Sequence, residues 1–282
     1  MDLALWPACV KTHSFAEQLH AAALGGFDVL PIGPLTYRQL RDQRWLPRDI
    51  VAAAADHGVR LGHFDGFAQW SPLPFAASTP AAVRDVFSMS ADECLRCCEE
   101  LSLPAICATG VFDPATAPLS QLVDAFAAFC ERAAALEIQV DLECIPMWGV
   151  PDLVSAWRIV EASGAGNAAV LLDSWHFFRG NADLSLLRAM PQGSIRTVQL
   201  ADAAMQPRTA DLLEDCLRFR KVPGEGELPL SEFIAILAEK GGITSIGPEV
   251  FADELDTMSA EAAALRVSQA SRTLMRTVDM NH

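Results

Sequence analysis

Four oxygen-bearing side chains stand near the ends of apolar runs in the second half of the chain. Glu143 lies in Val140-Asp141-Leu142-Glu143-Cys144-Ile145, Asp173 in Val170-Leu171-Leu172-Asp173-Ser174-Trp175-His176, Gln199 in Thr197-Val198-Gln199-Leu200, and Glu249 in Ile246-Gly247-Pro248-Glu249-Val250. Taken singly, an acid in such a place is a helix cap or half of a salt bridge. Three carboxylates converging on one site repel one another and are driven toward protonation unless a cation holds them. The basic residues nearby, Arg179, Arg196, Arg220 and Lys221, cannot all be placed to neutralise three acids at once. A divalent metal ion is the more economical counter-charge. A metal flanked by carboxylates suits Lewis-acid and proton-transfer chemistry.

The elements that must position these residues follow one rhythm. Short β-rich runs, Leu3–Val10, Phe27–Ile32, Val59–Phe64, Ala105–Thr109, Ile138–Ile145, Ala168–Asp173, Ile195–Ala201 and Ile243–Phe251, alternate with longer helical ones. Ser14-x-x-Glu17 is a capping-box signature for a helix through Ala23. Further helices are expected over Pro47–His57, Thr79–Leu101, Leu119–Leu136, Asp152–Ala162, Leu184–Ala189, Leu230–Glu239 and Met258–Val278. Eight such units in one chain of this length imply an α/β fold of the (β/α)8 TIM barrel type, a single domain over 1–282. An open doubly wound sheet would show a Gly-rich phosphate turn after its first strand. Here that strand runs into Lys11-Thr12-His13. In a barrel the chemistry gathers at the carboxyl ends of the strands, where the four residues fall.

With LDSWH at the sixth strand and PGEGELPL after the seventh, the chain resembles the sugar phosphate isomerase/epimerase family of xylose isomerase-like barrels. The resemblance spans essentially the whole chain and is most specific in the second half. It implies one divalent metal held by Glu143, Asp173, Gln199 and Glu249, with Glu143 and Glu249 also moving protons. It further implies substrate contacts from His176 and from an Arg after the seventh strand, Arg220 in preference to Arg218. Gln199 stands where His is usual, although dehydratases of the superfamily also use Gln there. With only oxygen ligands, the site should favour Mn²⁺ or Mg²⁺ over Zn²⁺, and metal release should follow the carboxylates rather than an imidazole. The implied activity is isomerisation or epimerisation of a keto-sugar or related hydroxyketone through a metal-stabilised enediolate. The same apparatus could instead expel a β-hydroxyl, as in inosose or 3-dehydroshikimate dehydratases. Ile145, where the dehydroshikimate pattern has a His beside the strand-five ligand, departs from that version.

Composition bounds the partners. The 282 residues carry 21 basic and 36 acidic side chains, a net charge of −15, and 51% are apolar. That balance argues against a nucleic-acid partner. A nuclease reading, which needs a His-rich trinuclear site, has six His to draw on, with His20 and His57 in helices and His282 at the terminus. No apolar run reaches a membrane span, and the start, Met1-Asp2-Leu3-Ala4, lacks a basic leader, so a cytoplasmic protein is expected. The eight cysteines lie in apolar runs or on one helix (Cys94, Cys97, Cys98) and read as reduced, buried thiols. Cys94-x-x-Cys97 lacks a second ligand pair for zinc. His63 reads as a substrate contact near a strand end, His13 as part of the loop before the first helix. Trp6, Phe64, Phe67, Trp70, Met147, Trp148, Trp175, Phe177 and Phe178 either cap the core or line a partly apolar pocket for a small polyol or hydroxyketone. No dense Lys/Arg cluster points to a phosphorylated substrate. An apolar stripe of Met258, Ala262, Leu265 and Leu274 in the last helix packs on the barrel or on a second copy, leaving a homo-oligomer possible.

Overall fold

A computed structural model describes residues 1–114 and 116–278; His282 lies outside the described residues. The first half contains β1 (Asp2–Leu3), a 3₁₀ turn (Pro7–Val10), α1 (Phe15–Leu24), β2 (Val29–Ile32), α2 (Pro34–Asp42), α3 (Pro47–Asp56), β3 (Arg60–Phe67), α4 (Ala81–Phe87), α5 (Ala91–Leu101), β4 (Ala105–Ala108) and α6 (Leu119–Ala134). The second half contains β5 (Gln139–Glu143), α7 (Leu153–Ser163), β6 (Ala168–Asp173), α8 (Ser174–Arg179), α9 (Leu184–Ala189), β7 (Ile195–Leu200), α10 (Leu212–Arg218), α11 (Leu230–Lys240), β8 (Ser245–Pro248), α12 (Asp253–Asp256) and α13 (Ala260–Arg276). The eight strands form one sheet in the order β1-β8-β7-β6-β5-β4-β3-β2. A parallel bridge from Ala4 to Val29 joins its two edges, making the (β/α)8 barrel that the alternation predicts.

Several boundaries differ from expectation for identifiable reasons. The first strand does not run from Leu3 to Val10. Pro7 has no N–H for a ladder, its φ is fixed, and it opens the 3₁₀ turn instead. The Thr79–Leu101 helix is two helices, because Ser90 and Glu93 form a second capping box: Glu93 N–H donates to Ser90 Oγ at 3.3 Å and Ser90 N–H to the Glu93 carboxylate at 3.0 Å. The Ser14/Glu17 box is present as expected. Helices α2, α8, α10 and α12 fall in stretches that read as connections.

The chain divides into two compact units, 1–30 with 53–60 and 172–282, and 31–52 with 61–171. In the first, α13 packs along α1 and against β8. Its buried face is Ala260, Ala263, Ala264, Val267 and Leu274. Of the expected stripe Leu274 is buried and Met258 half-buried, whereas Ala262 and Leu265 are exposed, Leu265 by 47%, and Ala263 and Ala264 face inward instead. Ser268 Oγ donates to Gly25 O at 2.7 Å and ties the two helices together. In the second unit, β3, β4 and β5 pair in parallel. Phe67 stacks on Phe129 at 4.7 Å, and the Trp70 indole N–H donates to Thr109 O at 2.7 Å. The strand-end aromatics are thus mostly core: Trp6, Phe64, Phe67, Trp70, Trp175 and Phe177 are all buried. All eight cysteines are buried, with no disulfide among the described residues. Among those residues no helix is long and apolar enough to cross a membrane.

Candidate metal and proton-transfer site

Strand β5 ends at Glu143, which is 7% exposed. Its register partner on β6 is Leu171. Asp173 closes β6 and also caps α8: one carboxylate oxygen, Oδ1, accepts the His176 backbone N–H at 2.8 Å. The LDSWH motif thus turns strand directly into helix and sets His176 beside Asp173.

Within the unit 172–282 the remaining residues of the expected site come together. Gln199 on β7 pairs in register with Gly247 on β8, and its Nε2 donates to Glu249 Oε1 at 3.1 Å. Gln199 Oε1 is fully buried and accepts no hydrogen bond. Arg220 Nη1 donates to Asp173 Oδ2 at 2.7 Å and to Glu249 Oε2 at 3.2 Å, all three residues being buried. Arg218, its competitor, is half exposed and pairs with Glu214 and Asp253. His176 is buried beside Asp173 and carries a ring nitrogen of the type that holds metal ions, so it joins the candidates that sequence restricted to four oxygen donors.

The electrostatics follow from burial and Arg220. Burial by itself raises the Asp173 carboxyl, but the Arg220 guanidinium, with help from His176 and two hydrogen bonds, holds it below the usual range. Burial drives the His176 imidazole down from 6.5 to about 3; Asp173 resists the drop and Arg220 adds to it. His176 is therefore neutral near pH 7. Arg220 Nη2 lies 3.3 Å from its Nε2, and a guanidinium can only donate, which assigns the proton to Nδ1. The linkage has a definite sign. Stability gained by keeping His176 neutral is complete above 6.5 and is lost as pH falls toward about 3. Chelator-treated wild type should lose roughly 2–3 kcal/mol more than His176→Gln between pH 7.5 and 4.5. Urea midpoints at the two pH values check this, and parallel losses in the two proteins would refute it.

The PGEGELPL motif has a structural cause. Asp202, 2% exposed, accepts Gly224 N–H and Leu228 N–H at 3.0 Å each and Ala203 N–H at 2.8 Å. A Cβ at Gly226 would lie 2.2 Å from Asp202 Oδ1, so that position must be glycine. The same loop pairs Lys221 with Asp202 and Phe219 with Ala252, pinning Arg220 between the ends of β7 and β8. Sequence reasoning missed Asp202 in this role, and also Cys9. Burial pushes the Cys9 thiol up to about 12, and its sulfur donates to Pro248 O and accepts Val250 N–H at 3.3 Å each. It brackets Glu249 from both sides. His63, expected near a strand end, is the fourth residue of an eight-residue strand, opposite Ala105 at the start of β4. It is buried well before the strand's carboxyl end. His13 lies just before α1, as expected.

Residues 17–274 match the family model described as Xylose isomerase-like TIM barrel. The chain belongs to that family. It is 27% identical over 256 residues, 88% of its length, to a 3-dehydroshikimate dehydratase of Pseudomonas aeruginosa, and that match covers 38% of the dehydratase. It is 32% identical over 135 residues to an inosose isomerase of Halalkalibacterium halodurans, covering 47% of this chain and 46% of the isomerase. The structure of an IolI protein with a bound zinc atom superposes with a TM-score of 0.83 at 18% identity, covering all of both chains. The chain thus spans well under half the length of the curated dehydratase.

Proposed function

We propose that this family member is a divalent-metal-dependent enzyme that moves a proton at a carbon beside the carbonyl of a polyol ketone or hydroxyketone. The observation that carries the reading is the buried, unpartnered Gln199 Oε1 beside the Glu249 carboxylate. A buried acceptor without a donor is costly, and a cation accounts for it. Glu143, Asp173, Gln199 and Glu249 would hold the ion, an all-oxygen set that favours Mn²⁺ or Mg²⁺. Bound there, the ion would polarise a substrate carbonyl and its neighbouring hydroxyl and so acidify the C–H between them. Glu143 and Glu249 are the proton carriers: one removes the proton, the other returns it to the same or the adjacent carbon. Glu249 is fixed for this by Gln199 on one oxygen and Arg220 on the other. His176, with its proton on Nδ1, is a donor for a substrate oxygen whose charge grows.

Isomerisation or epimerisation needs no group beyond these. Dehydration is the second reading, favoured by the dehydratase relative that aligns with 88% of this chain and by glutamine at position 199. The two part after the first proton transfer. Incubating Mn²⁺-loaded protein with keto-sugars, inososes and 3-dehydroshikimate in D₂O separates them. Deuterium at carbon with retained oxygen count marks isomerase or epimerase action, and loss of water marks the lyase. Absence of exchange or conversion across the panel would sink the enzyme reading.

A further inference from the structure

Every N–H of Arg220 has a partner inside the protein. Nε donates to Cys216 O at 3.1 Å. Nη1 donates to Asp173 Oδ2 and Glu249 Oε2, and Nη2 lies within hydrogen-bond distance of His176 Nε2 at 3.3 Å and Cys216 Sγ at 3.1 Å. The guanidinium also sits 5.1 Å from the ring centres of both Trp175 and Phe251, a packing that favours a cation. The residue is 3% exposed. A side chain held by five donors and two rings cannot turn outward to meet a substrate without breaking most of these contacts. The family resemblance implies a substrate contact from this Arg; these partners give it a task within the protein as well.

We propose that Arg220 is a positioning residue, a fixed internal cation that bridges Asp173 and Glu249 and lowers the affinity of their site for a divalent metal. The inference rests on the metal reading above. The three carboxylates of that reading carry three negative charges and the guanidinium returns one, leaving the two that a single divalent ion balances. A positive charge in contact with two ligand carboxylates repels an incoming metal at short range, where the protein interior screens it weakly. Holding the acids in place works the other way. The repulsion acts on the ion itself, whereas the holding acts only through the ligands, so the proposed net result of Arg220 is weaker metal binding.

The test is calorimetric titration of Mn²⁺ into chelator-treated wild type, Arg220→Gln and Arg220→Lys at pH 7.5. Arg220→Gln is expected to bind Mn²⁺ at least tenfold more tightly than wild type and to melt at lower temperature without metal. Arg220→Lys, which keeps the charge, should stay within threefold of wild type. If Arg220→Gln folds only with Mn²⁺ in the buffer, the metal is replacing the missing cation and the proposal stands. Unchanged or weaker binding in Arg220→Gln overturns it, as does a variant that Mn²⁺ cannot rescue, or tightening in Arg220→Lys equal to that in Arg220→Gln. Wild type that takes up no Mn²⁺ at millimolar concentration would instead remove the metal reading itself.

Discussion

Glu249→Gln is expected to reduce carbon–deuterium exchange by 10²–10⁴-fold, the usual worth of a positioned general acid or base, while leaving the barrel folded. The substitution keeps the shape and the acceptor oxygen that Gln199 Nε2 now meets at 3.1 Å. It turns the other oxygen into an NH₂ facing Arg220 Nη1, two donors opposed. Arg220 keeps Asp173 Oδ2 and the Glu249 backbone carbonyl, the latter at 3.2 Å, so the structural cost should stay near 1–2 kcal/mol. The far-ultraviolet spectrum and a melting curve establish that the variant is folded; exchange in D₂O measures the chemistry. An exchange rate within tenfold of wild type in a folded variant would exclude Glu249 as the base that takes the first proton. Glu143→Gln offers the complementary test. If the two residues act in sequence, each variant loses turnover, but only the one that lacks the first base also loses exchange.

The placement of the four candidate residues at strand ends was legible because apolar runs mark the strands of a parallel barrel. Glu143, Asp173, Gln199 and Glu249 could be named as candidates from the ends of four apolar runs, the ends at which barrels of this type carry their chemistry. The capping box at Ser14 was equally plain. What failed was of two kinds. Pro7 sat inside a run that otherwise read as strand, and helices α8 and α10, six and seven residues long, are too short to show an apolar period that separates them from loop. Helix α8 was hidden for a further reason: it starts on the residue after β6, with Asp173 serving as strand end and N-cap together. Those two helices carry Trp175, His176, Arg179, Asp215 and Cys216. They therefore decide what Arg220 touches, and its role could not be read without them. His63 was misplaced because β3 extends to Phe67, beyond the Phe64 at which the sequence suggested it ends.

The same pair of helices makes Asp215→Ala the largest expected loss of stability. Asp215 on α10 is 1% exposed, and its carboxylate accepts Arg179 Nε at 3.0 Å and the Arg208 backbone N–H at 2.7 Å. The Arg179 side chain on α8 is 4% exposed, with its other nitrogens on the carbonyls of Met205 and Ala204. Truncating the acid leaves a buried guanidinium without its counter-charge and an amide without an acceptor, a loss of about 3–5 kcal/mol. Urea unfolding of metal-free protein measures it. Asp215→Asn, which can still accept the Arg208 amide, should lose less. Adding Arg179→Met to Asp215→Ala should recover much of the loss, because the unpaired charge and not the missing contact dominates. If the double variant were no more stable than Asp215→Ala, the ion pair would not be the cause. Trp175 links this pair to the site: Arg179 lies 5.5 Å from its ring and Arg220 5.1 Å. Asp215→Ala should therefore also alter Mn²⁺ affinity, whereas Leu19→Ala, which truncates a fully buried side chain of α1 at a comparable cost of about 2–5 kcal/mol, should not. That contrast separates a general loss of stability from a specific loosening of the cation that holds Asp173 and Glu249.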